Sequence, residues 1–243
     1  MVDLTALKAL NAKRWDDAKI TRGASLATVA TRLVASDAKA RYLKISAATG
    51  VPWFIIAVIH EREASQRFDR QLGQGDPLGE VSTHDPKGRG PFFNHPNDPP
   101  GQDAFYRAAL DALIDCAPHA AQWKDWSPGG AMTLLEQYNG LGYAGMGKPS
   151  PYVWSGTDQY HSGKYVADHV YDPNVVDSQL GCAGLVKAMM KIDPSISFGP
   201  VTVVAQPSIP KPPEITLPPP GQVKPGLEPT FWGRVAALFK PKG

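Results

Sequence analysis

Apolar residues recur at three- and four-residue intervals along most of this chain, so the pattern predicts helices. Residues 1–48 read as short helices. The segment 25–34 is amphipathic, and 37–48 continues it with Ala38, Tyr42, Ile45 and Ala48 as the inner stripe. Pro52 then suits the first turn of a helix running to about residue 68. Its first half, Trp53-Phe54-Ile55-Ile56-Ala57-Val58-Ile59, is apolar all round. A helix with no wet face belongs in the middle of a domain. Its second half turns abruptly to His60-Glu61-Arg62-Glu63, which predicts a core helix whose end emerges into a cleft.

Three more helices follow from the same periodicity. One covers 102–116, with Phe105, Ala109, Ala112, Leu113 and Cys116 inward. One covers 130–138 and is stopped by Asn139-Gly140. The last covers 175–192, with Val176, Leu180, Ala183, Leu185 and Met189 or Met190 inward. Between them, residues 69–101 are rich in Gly, Pro, Asp and Asn, with 80–84 as a short strand. That segment predicts a small hairpin or irregular lobe. Residues 141–174 hold aromatics and glycines without periodicity. The expected fold is mainly α (α+β): a helical lobe and a small β-hairpin lobe over 1–204. A Pro-rich C-terminal extension follows, since nine of the 24 prolines lie between Pro207 and Pro229. This makes 205–229 an extended linker. Residues 230–243 restart as a short basic amphipathic tail. It suits either a helix docked on the domain or a contact with anionic membrane or lipopolysaccharide.

Composition narrows the classes. With 42% hydrophobic and 20% charged residues the chain is globular, and a net charge of +2 gives no reason to expect a nucleic-acid partner. A monomer is expected. Cys116 and Cys182 read as two reduced thiols, with a single disulfide as the lesser alternative. No basic start with an apolar run and cleavage site opens the sequence, so no signal peptide is read. The expectation is synthesis in the cytoplasm, with any cell wall reached only by help from elsewhere. Ala64 occupies the second histidine position of a His-Glu-x-x-His pattern, so no zinc-protease motif is present, and no cofactor is expected. Ser65 lies in no Gly-x-Ser-x-Gly elbow.

The charged helix end carries the chemistry. Cleaving a glycosidic bond needs a carboxylic acid still protonated near neutral pH. Burial at the end of an apolar helix supplies one. Glu61 and Glu63 lie about 200° apart around the helix, so only one faces a given cleft. Glu63 continues the inner line, and small Ala64 and Ser65 follow it, leaving room for a sugar. Hydrolysis with inversion also needs a carboxylate to activate water. Asp76, in the Gly-rich turn beyond the helix, is the candidate, with Ser82 or Thr83 holding the water. Tyr138, Asn139, Tyr143, Tyr152 and Trp154 offer rings and an amide suited to sugar binding.

Several of these motifs together are similar to those of a known family. Val51-Pro52-Trp53 through Glu63-Ala64-Ser65, Gly75-Asp76-Pro77-Leu78, Gly88-Arg89-Gly90-Pro91, Tyr138-Asn139-Gly140 with Gly142-Tyr143, and Ser150-Pro151-Tyr152-Val153-Trp154 carry the likeness. Over roughly residues 25–195 they resemble bacterial and phage endolysin-type muramidases of the lysozyme-like superfamily. The resemblance implies a cleft between the two lobes, Glu63 as general acid, Asp76 and Ser82 on the following hairpin, and Asn139 on the substrate. It implies cleavage of peptidoglycan between N-acetylmuramic acid and N-acetylglucosamine, after holin-type release. A lytic transglycosylase, a chitinase or chitosanase, and a wall-binding or virion module without activity are the alternatives.

Overall fold

The helical periodicity of the N-terminal region becomes three helices in the computed structural model, whose described residues are 2–167 and 170–199. Helix α1 (Leu4–Asp17) starts at Asp3, whose carboxylate accepts from the amides of Thr5 and Ala6 at 2.8 and 3.1 Å. Helix α2 (Gly23–Leu33) buries Leu26, Ala30 and Leu33. Helix α3 (Ser36–Thr49) buries Ala38, Tyr42 and Ile45, and ends at Gly50 in the left-handed conformation (φ 72°). Ala48 is exposed and Thr49 is buried in its place. The stripe of residues 38, 42 and 45 continues through 49, not 48, at helical spacing.

Helix α4 (Trp53–Ala64) is the centre of the domain, with every residue from Trp53 to His60 buried. It packs against α3 and α9 (Cys182–Ile192) and touches α2. It stops four residues short of the expected position 68, because Ser65 and Gln66 both turn left-handed (φ 50° and 60°). Helix α5 (Ala104–Leu110) runs into one π-helical turn, Asp111–Asp115, and buries Phe105, Ala109, Ala112, Leu113 and Cys116 as expected. Helix α6 (Pro128–Tyr138) is followed by two single turns, α7 (Gly142–Gly145) and α8 (Pro151–Trp154).

Two expectations fail. Of the two forms expected for 69–101, hairpin or irregular lobe, the irregular one is found, and the expected β-hairpin lies elsewhere. Strands β1 (Lys164–Ala167) and β2 (Val170–Asp172) pair antiparallel with Tyr165 opposite Tyr171. Among the described residues, 69–101 contributes only an isolated bridge between Arg70 and Pro77. Its prolines remove ladder donors, and its polar side chains bond to its own backbone in place of a partner strand. Helix α9 also begins at Cys182, leaving Val176 60% exposed. The Ser155 hydroxyl holds the carbonyls of Asp177 and Gln179, at 3.2 and 2.7 Å, in a non-helical path ahead of it.

Both cysteines are free and buried. Among the described residues no single helix is long and apolar enough to cross a membrane. The expected linker and tail, 205–243, lie outside the described residues.

Helix α1 lies along α6, and the contact is closest at Gly129. A β-carbon there would come within 2.7 Å of the Lys8 carbonyl oxygen and 2.8 Å of the Ala12 methyl. Gly129→Ala therefore destabilises by about 1–3 kcal/mol through overpacking, although alanine favours a helix by about 1 kcal/mol over glycine. Urea unfolding measures it; a variant as stable as the wild type contradicts this close seating of α1.

Candidate active site

The site grows from the charged end of α4. The seven apolar residues before it commit this end to the interior, so each polar side chain there needs a partner. His60 is wholly buried. Burial pushes its pKa down to about 4, so the ring is neutral. Its Nε2 lies 3.0 Å from the Arg67 carbonyl and must donate to it, which leaves Nδ1 to accept from the Tyr42 hydroxyl at 2.9 Å. Glu61 turns toward Arg32 of α2, at 2.6 Å. Arg62 reaches the carboxylate of Asp177, at 3.1 Å. Glu63 accepts a hydrogen bond on Oε1 from the Tyr152 hydroxyl, at 2.8 Å.

The helix end is held open by strain. Left-handed non-glycine residues cost roughly 1–2 kcal/mol each. Arg32 holds the two at this end in place, donating to the Ser65 carbonyl and the Gln66 Oε1 at 3.3 and 2.8 Å. Gln66 answers through Nε2 to the Arg32 carbonyl at 3.0 Å. The chain then doubles back until Gly75 lies on the Glu63 carbonyl, where a β-carbon would overlap the oxygen. Its φ of 74° also favours glycine.

Burial pushes the Glu63 carboxyl up to about 7, against the Tyr152 hydrogen bond and the Arg62 charge, which both pull it down. Glu63 is half-buried, and its Oε2 takes no hydrogen bond among the described residues. It is thus a neutral acid at moderate pH with one oxygen held and the other free to donate. Tyr138 lies close enough for the Glu63 charge to raise it further, beyond the larger effect of burial. Its hydroxyl is sealed from solvent and has no partner among the described residues, which typically costs about 1–3 kcal/mol.

Beside this acid runs an open groove of about 520 Å³. It is lined by Arg62 of α4, by Asn139, Gly142, Tyr143 and Tyr152, and by Lys164 to Ala167 of β1; Glu63 itself touches it through Tyr152. The groove thus includes Asn139, Tyr143 and Tyr152 of the expected sugar-binding set. Asn139 is exposed and donates from Nδ2 to the Ser150 hydroxyl at 3.3 Å. Tyr143 accepts from the Tyr165 amide at 2.9 Å and stands edge-on to Tyr165 and Tyr171. Tyr152 is nearly fully buried and spends its hydroxyl on Glu63, so it orients the acid more than it offers a face.

Trp154 does not line the groove. It is fully buried and donates to Glu136 in the core at 3.3 Å. Asp76 and Ser82 are brought together with each other but not with the groove. The Asp76 Oδ2 accepts from the Thr83 and His84 amides at 2.8 and 3.1 Å, and its Oδ1 faces the His84 Nδ1 at 2.7 Å. Burial raises the Asp76 carboxyl, but these hydrogen bonds outweigh it and hold the group below the usual range. The Ser82 hydroxyl donates to the Pro86 carbonyl and accepts from the Arg89 amide, at 2.8 and 2.9 Å. Both side chains staple the 76–89 loop.

Nothing in the local pattern singles out Lys164, Asp177 or Gln179, which also line the groove. In sequence Arg62 reads as a flanking or structural residue of the charged helix end, with no partner indicated. No protein-family model, curated protein or solved structure matches this chain.

A carboxyl with a raised pKa destabilises the fold once it ionises. In the unfolded chain Glu63 titrates near its ordinary 4.5, and in the native state near about 7. Between these values the native state binds more protons, so stability falls as pH rises and the loss is complete above 7. Glu63→Gln removes the ionisation. Relative to wild type it should gain about 2–3 kcal/mol at pH 8 and nothing below pH 4.5. Urea midpoints at the two pH values measure it; an equal difference at both would place the carboxyl in water.

Proposed function

We propose that this chain cuts peptidoglycan glycan strands, with Glu63 as the proton donor, and that its arrangement is lysozyme-like. The observation that carries this reading is the Glu63 carboxyl, desolvated at the end of a buried helix and held by the hydroxyl of Tyr152, a residue that lines the neighbouring groove. Protonated Glu63 Oε2 gives its proton to the glycosidic oxygen between N-acetylmuramic acid and N-acetylglucosamine. The C1–O bond breaks, leaving positive charge at C1 and a Glu63 carboxylate. The exposed Asn139 amide suits the polar edges of a sugar.

The nucleophile that completes the reaction gives up its proton to a carboxylate. In the first ending it is the 6-hydroxyl of the same muramic acid. Glu63 itself then takes the proton, an anhydro ring closes, and no second carboxylate is needed. The burial of Asp76 and its three donors favour this lytic transglycosylase ending. In the second ending Asp76 activates a water, as the sequence suggests. Its depressed pKa, which keeps it ionised, favours that hydrolytic muramidase reading.

Mass spectrometry of fragments released from purified walls decides between them. The expected products lack one water, and Glu63→Gln loses roughly 10²–10⁴-fold in rate while keeping its fold. Asp76→Asn keeps releasing anhydro products. Hydrated products that vanish in Asp76→Asn would establish the muramidase ending. Full lysis by Glu63→Gln would sink both. Cleavage of chitin or chitosan alone would reassign the substrate, and binding to walls without any fragment would mark a module that has lost activity.

A further inference from the structure

Asp177 is the most completely enclosed acid near the groove, with a side chain wholly inaccessible to solvent. Its Oδ1 accepts from Lys164 Nζ at 2.8 Å and the Gln179 amide at 3.3 Å, while Oδ2 accepts from Arg62 Nη2 at 3.1 Å. Its backbone is equally fixed, since its amide donates to the Tyr160 hydroxyl at 3.0 Å. Arg62 in turn is 7% exposed, and its Nη1 donates to the Leu180 carbonyl at 3.3 Å. The guanidinium lies 4.7 Å from the centre of the Tyr152 ring. Tyr152 is the residue whose hydroxyl holds Glu63.

We propose that Asp177 is a positioning residue for Glu63: it holds the Arg62 guanidinium against Tyr152 and sets how much of that positive charge the Glu63 carboxyl feels. The role is defined by the reading of Glu63 as proton donor, although the contacts stand without it. Two cations share one anion here. Lys164 sits on β1 in the groove wall, so the hairpin and the acid are joined through the same carboxylate. Removing the anion leaves Arg62 buried with only a carbonyl partner beside the acid. Removing Lys164 gives Arg62 the whole of the Asp177 charge.

Arg62 on α4 and Tyr152 on α8 act on Glu63, and its charge in turn raises Tyr138 on α6, Tyr152 and Cys182 on α9. Burial raises both tyrosines and the thiol well above their usual range, so they stay neutral near pH 7. Glu61 is occupied by Arg32. Arg62 is thus the charged group among those acting on Glu63 within the described residues, and Asp177 is the anion that opposes it.

The test is a ¹³C NMR titration of the Glu63 carboxyl carbon in the full chain, assigned by its loss in Glu63→Gln, beside the pH dependence of wall lysis. Asp177→Asn should move the midpoint down by roughly half a pH unit or more, and Lys164→Met should move it up. The alkaline limb of lysis should follow in each case. Unmoved midpoints in the folded variants, or movement in one direction for both, would reduce Asp177 to a structural anchor. If Asp177→Asn does not fold, Lys164→Met decides alone, an upward midpoint supporting the role and an unmoved one overturning it. A wild-type chain that releases no wall fragments would sink the glycan-cutting reading, and the carbon titration would still answer for Asp177.

Discussion

The structure depends on burying an entirely apolar helix that ends in four consecutive polar residues. Once Trp53 to Ile59 are committed to the core, His60, Glu61, Arg62 and Glu63 cannot all reach water, and an unpaired buried charge costs several kcal/mol. Their partners come from different parts of the chain: Tyr42 from α3, Arg32 from α2, Asp177 from the segment before α9, and Tyr152 from α8. The end of α4 is therefore where the domain is tied together. Glu63 differs from its neighbours in kind. Glu61 and Arg62 meet opposite charges, whereas Glu63 meets a hydroxyl and remains an acid.

That difference explains which electrostatic effect prevails at the site. The guanidinium next in sequence should hold Glu63 ionised, yet desolvation wins. Arg62 is already bound to the Asp177 carboxylate at 3.1 Å, which offsets part of its charge. A buried ion pair of this kind adds little stability by itself. Here it fixes Arg62 over the Tyr152 ring.

The loop over residues 69–101 works by another principle. Lacking a partner strand, it folds on its own side chains, with Asp76 on two amides and Ser82 bridging Pro86 and Arg89, and is pinned to the following helix by Arg89–Asp111 and Asp98–Arg107. Short polar side chains next to prolines and glycines are what such bonding requires. The same residue types would suit a catalytic hairpin, which is why the two roles look alike along the chain. Gly75 then brings this loop against α4, where only a glycine leaves room.

Hydrophobic periodicity along the chain is enough to locate most of the longer helices, though not all their ends, and the central place of α4. Hydrophobic periodicity and the switch from Ile59 to His60 are local, and burial of an apolar run follows from them. The folded chain alone shows that the paired strands are Lys164–Ala167 and Val170–Asp172, that Trp154 belongs to the core, and that Asp76 is held by Thr83 and His84. It alone joined Arg62 to Asp177, far along the chain. The physical reason is that a short polar or aromatic residue carries no periodic signal. Its role is fixed by whichever donor, acceptor or ring the folded backbone brings within hydrogen-bond reach.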